Sequence, residues 1–209
     1  MINVLLITFL MTLFFVAIAN RLLTYIKVLA LQGVNLFTVV FIQLSHINTL
    51  NLILILMETI FFKSIAVPLF LAYIIKHNKI TREAEPYVPH FISLIIVTVI
   101  CIASILLVNS IEDNQLDKIF FVVALSALFT GLYFIISRRK IITHVMGYLI
   151  MENGVFVLSL ALGSEMTMLV NIGIMLDIFV SVLVLGIFTN RIGDTFEAMS
   201  VDNLSNLKD

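Results

Sequence analysis

The sequence has no tryptophan, one cysteine and three prolines, and each shortage removes something. A single cysteine, Cys101, excludes a disulfide within the chain and every cysteine-rich metal or iron–sulfur site. Without tryptophan, any aromatic belt at a membrane surface falls to the tyrosines and is weak. Three prolines leave few places where a long helix must stop. Charge is scarce as well: 12% of 209 residues are charged and the net charge is -1, which argues against nucleic acid as a partner. No phosphate loop, nucleophile triad or metal-spaced His/Asp set is present. A pair of haems would need four well-placed histidines, and the four present are not so placed. His90 and His144 fall near the same ends of their runs, but His46 and His77 lie in connections at opposite faces.

What is abundant is apolar surface. The chain is 61% hydrophobic, with a mean hydropathy of +1.16. A soluble domain of this size cannot bury that much, so the expected class is an all-α polytopic membrane protein. Seven runs approach the roughly 20 residues that a spanning helix needs. They cover residues 2–19, 22–43, 49–75, 91–109, 118–136, 141–163 and 166–189. The first ends Ala17-Ile18-Ala19, as a signal cleavage site does, but lacks a basic leader and is followed at once by Arg21, so a retained helix is expected. Arg21, Lys76, Lys79, Arg82, Arg138, Arg139, Lys140 and Arg191 fall in one set of connections, and Lys118 alone in the other. Basic residues stay inside, which places the N-terminus outside and the C-terminus in the cytoplasm. Three segments are expected: a four-helix half over 1–110, a three-helix unit over 111–190 and a polar tail over 191–209.

Against this apolar background a few ionisable residues stand out. Glu152 and Asp177 each sit near the middle of an apolar run, where a charged acid costs on the order of 3 kcal/mol even on a lenient insertion scale. A buried carboxyl is cheaper neutral than charged, and a second acid nearby strengthens that preference. The short connection between the last two runs makes those helices antiparallel and brings the two acids to similar depth, as a proton relay requires. The bland alternative is a pair of neutral acids bonded to neighbouring helices. Glu58 and Lys63 share the third run. Five residues turn an α-helix by about 140°, so they are not expected to share a face, and Lys63 is expected to meet a carboxylate on another helix or water. Pro68 frees a carbonyl near Ser64, where a kink is expected. His144, two turns before Glu152, is either a feeder of protons to it or an ordinary interfacial histidine.

Runs two and three can be laid over runs six and seven as a parallel repeat, which pairs Gln32 with Glu152 and Glu58 with Asp177. The separations agree, at 26 and 25 residues. Apolar sequences also resemble one another by chance.

The last three runs resemble the small three-helix subunit beside the antiporter-like subunits of respiratory complex I, which carries a glutamate in its second and third helices. IMLDIFVSVLVLGIF, with Asp177, resembles its third helix. RRKIITHVMGYLIMENGVFVLSLAL resembles its second, with Met151-Glu152-Asn153 matching a Met-x-Asn element and the acid displaced by about one turn. A seven-helix chain with this C-terminal portion, with Gln32-Gly33 and the Lys63–Pro68 spacing, is similar to the hydrogenase-4 component E family of membrane-bound [NiFe] hydrogenase and formate hydrogenlyase complexes. The resemblance implies a non-catalytic subunit without cofactor or metal, in the inner (plasma) membrane. It further implies a hetero-oligomeric complex, in contact with antiporter-like subunits and a hydrogenase membrane anchor. Glu152, Asp177, Glu58, Lys63 and His144 are then the candidates for proton transfer. The small subunit of a multisubunit cation/proton antiporter and a structural scaffold are the competing readings.

Overall fold

The structure, a computed structural model, describes residues 1–43, 55–77, 87–111, 117–139 and 141–162, and the side chains of Glu58, Ile74, His77 and Ile141 lie outside that set. Every regular element among the described residues is helical. They are α1 (Ile2–Ile18), α2 (Leu22–Gln43), α3 (55–77), α4 (His90–Asn109), α5 (Lys118–Ser137) and α6 (Ile141–Ala161). All lie within one compact unit, Met1–Ile174. Five of them are long and apolar enough to cross a membrane, and α1 is a shorter apolar helix. The seventh expected run, with Asp177, lies outside the described residues, as does the tail.

Helices from both sides of residue 110 pack together. α1 lies against α2, α4 and α5, while α2 lies against α1, α3 and α6; the α5–α6 pair makes the most extensive contact. The start of α5 meets the end of α6, so the two helices run antiparallel. Gly131, Gly147 and Gly154 bring their backbones together: a Cβ on Gly131 would lie 2.6 Å from the amide nitrogen of Met151 and 2.7 Å from the carbonyl oxygen of Gly147. In a bilayer, where lipid tails are as apolar as leucine, this closeness of backbones is what holds a helix pair. At one end of the pair the Asp117 amide donates to the Ala161 carbonyl at 3.2 Å. There the Asp117 carboxylate also caps α5, accepting from the amides of Ile119 and Phe120. At the other end the Tyr87 amide donates to the Ser137 carbonyl at 2.9 Å.

α4 shows how side chains divide between core and surroundings. Ser93, Val97, Cys101, Ser104 and Val108, spaced every three or four residues, are buried, while Ile92, Ile95, Val99, Ile102 and Leu106 are exposed. An outward face of that kind would drive aggregation in water and is at home in hydrocarbon.

α3 departs from the expected geometry. Its centre, Glu58–Ala66, is π-helical, and ordinary α-helix resumes at Val67–His77. Pro68 supplies the reason, because it has no amide to give the Ser64 carbonyl and its ring crowds that turn. Ser64, where a kink is expected, lies within this π-helical stretch. The angular argument separating Glu58 from Lys63 assumed α-helical turns; where bonds close from i to i+5 it does not apply.

Candidate functional site

Lys63, inside the π-helical stretch, reaches across to α6. Its Nζ lies 3.7 Å from Oε1 of Glu152, with 7% of the lysine side chain and 9% of the glutamate exposed. Both residues sit about midway along their helices, so the pair lies deep in the bundle. Its length makes it an ion pair at the outer limit of direct contact. The ammonium also lies 4.7 Å from the centre of the Phe156 ring, one turn beyond Glu152 on α6, whose face stabilises a cation where water is scarce.

Two devices set this arrangement, and both use the dipeptide Gln32-Gly33. A Cβ on Gly33 would fall 2.8 Å from the Cα and amide nitrogen of Ser64 and 2.9 Å from the carbonyl carbon of Lys63. Only glycine lets α2 touch the α3 backbone at the residue that carries the ammonium. Ser64 completes the contact through its hydroxyl, 3.4 Å from the Ala30 carbonyl. Gln32, with no exposure at all, faces the other way. Its Nε2 donates to Thr12 Oγ1 on α1 at 2.7 Å, and its Oε1 accepts from Asn153 Nδ2 on α6 at 3.1 Å. Gln32 thereby ties α1, α2 and α6 together one residue from Glu152. Asn35, one turn on, adds a bond from its Nδ2 to the Leu5 carbonyl at 2.9 Å.

A buried ion pair is weak evidence of a purely stabilising role, because removing two charges from water offsets most of their attraction. Chemically, it sets a lysine and a carboxyl side chain within reach of each other midway through two membrane-length helices.

Of the other expected site residues, His144 is engaged locally: its Nε2 lies 2.8 Å from the Arg138 carbonyl, across the turn between α5 and α6. Glu58 lies on the π-helical stretch with its side chain outside the described set, and Asp177 lies outside the described residues. Thr12, Phe156 and the bonding role of Asn153 toward Gln32 carry no pattern in sequence that marks them. Arg138, which charge counting places with the connections, is 1% exposed. Among the described residues no three His, Cys, Asp or Glu side chains gather as a metal site.

No protein-family model matches the chain, and no solved structure does. Over 187 residues, covering 88% of the chain and 85% of the relative, it is 22% identical to the uncharacterized protein Rv0085 of Mycobacterium tuberculosis. Over 86 residues it is 36% identical to hydrogenase-4 component E of Escherichia coli (strain K12), and the same figures hold for that of Shigella flexneri. This second match takes in 41% of the chain and spans 40% of the length of component E.

Proposed function

We propose that this chain is a non-catalytic subunit in the membrane arm of an energy-converting redox complex, of the membrane-bound hydrogenase or formate hydrogenlyase type, and that its intramembrane carboxylates take part in proton translocation. The observation that carries the reading is the Lys63–Glu152 pair, buried midway through a bundle of membrane-length helices. The similarity to hydrogenase-4 component E supports the choice of complex. In this reading Glu152 is the proton carrier and Lys63 the cation whose approach and withdrawal loads it. Asp177 is the second acid of the relay, with Glu58 and His144 as subsidiary members. Antiporter-like subunits and a hydrogenase anchor are the proposed neighbours in the inner membrane. The N-terminus lies outside and the C-terminus in the cytoplasm.

Membership of a cation/proton antiporter is the second reading, supported by the same ion pair, and the two part on their companions. Affinity purification of the tagged chain from its own membranes, followed by identification of the co-purified subunits, separates them. A nickel–iron large subunit in the eluate is the expected result. Antiporter subunits without any redox subunit would transfer the chain to the second class.

A further inference from the structure

The arginine-bearing end of the bundle holds a cation that the ion pair at mid-depth does not use. Arg138, the first residue after α5, is 1% exposed. Its guanidinium stands over two aromatic rings, 5.3 Å from the centre of Phe134 and 5.8 Å from that of Tyr25. Among the described residues Nε, Nη1 and Nη2 have no hydrogen-bond partner, and neither does the buried hydroxyl of the preceding residue, Ser137. Nδ1 of His90 is in the same condition, and His90 opens α4 at this end, where the Tyr87 amide bonds the Ser137 carbonyl. The ring faces offset part of the burial of the charge, but they accept none of its donors. Arginine does not escape burial by giving up a proton, as lysine can.

Among the described residues no anion stands near this cation. The described carboxylates with described side chains are Asp117, which caps the opposite end of α5, and Glu152, halfway along α6. Arg21 and Arg139 are exposed, the latter over the Tyr87 ring at 4.8 Å, so the described charges here are positive. Pro89 gives the first turn of α4 no side-chain cap, which leaves further donors there. Arg138 also directly follows a membrane-length helix, at the level where headgroup phosphates lie. A planar fork of donors with adjacent cations matches phosphate oxygens.

We propose that Arg138 anchors a phosphate-binding site at this end of the bundle, filled either by the headgroup of an acidic phospholipid or by free phosphate. The test uses the full chain released from its own membranes, with native mass spectrometry to count retained lipid. Titrations with phosphatidylglycerol, with a phosphate-free galactolipid and with inorganic phosphate identify the source. The expected result is one phosphatidylglycerol retained per chain and no comparable retention of galactolipid; binding of inorganic phosphate alone would assign the site to the free ion. Arg138→Gln should weaken binding at least about ten-fold, while Arg139→Gln at the exposed rim should change it far less. Should Arg138→Gln fail to fold, Arg138→Lys keeps the charge without the fork and should still weaken retention. Equal retention of the galactolipid, or binding undiminished in both Arg138 variants, overturns the proposal. So does saturation of the site by a partner subunit that displaces phosphate, because Arg138 would then answer a protein carboxylate.

Discussion

The side-chain amide of Asn153 donates to Oε1 of Gln32 at 3.1 Å, joining α6 to α2 one residue away from Glu152. The next residue after Gln32 is Gly33, which presses on the backbone of Lys63 and Ser64. One dipeptide thus touches both sides of the ion pair: the lysine through a missing Cβ and the glutamate through its neighbour's amide. Gln32→Leu keeps the bulk but strands the Asn153 amide, and an unsatisfied buried donor costs about 1–3 kcal/mol. The purified assembly should lose thermal stability to that degree, and Asn153→Leu in the same background should recover part of it.

Gly33→Ala tests the other side. A methyl group 2.8 Å from backbone atoms cannot be absorbed by a side-chain rotation, so α2 and α3 must separate. Overpacking of this kind costs about 1–3 kcal/mol. Thermal unfolding of the assembly should show the loss, with Val99→Ala on the exposed face of α4 as a near-neutral reference.

The ion pair makes its own prediction through a double-mutant cycle. Lys63→Met leaves Glu152 buried without its cation and Glu152→Gln leaves Lys63 buried without its anion, a loss of about 3–5 kcal/mol where the stranded group stays charged and less where it turns neutral. The double variant removes both charges and should be more stable than either single one. Additive losses would mean that the two side chains act independently.

The helices α2, α4, α5 and α6 were legible in sequence to within a residue or two at each end, because a run of apolar residues of membrane length has few other uses. The positions of Lys63 and Glu152 inside apolar runs, where charge is costly, were legible too. Their pairing was not. It depends on the π-helical turn before Pro68, on the absent Cβ of Gly33 and on the depth at which α3 meets α6, none of which has a local signature. Arg138 marks the same limit from the other direction. Counting charges treats every arginine beside a span as wet, whereas the rings of Tyr25 and Phe134 take this one into the interior. The role foreseen for Asp177 falls outside the described residues and stands as part of the proposal.

The proposed orientation rests on the distribution of basic residues and has a direct test. In a Cys101→Ser background, Asp113→Cys should react with a membrane-impermeant thiol reagent added to intact cells, and Ile80→Cys should react only after the membrane is opened. The reverse pattern would invert the chain in the membrane.

Proton translocation by vesicles containing the assembled complex, measured alongside its redox turnover, bears most directly on the carboxylates. Glu152→Gln nearly preserves shape, so in the complexes that still assemble despite the lost ion pair electron transfer should continue while protons moved per turnover fall sharply. Asp177→Asn should behave alike. Glu58→Gln should be milder, because Gln32 already stands where a repeated relay would need a second acid. Full pumping by Glu152→Gln would contradict the account and leave the Lys63–Glu152 pair as a structural element alone.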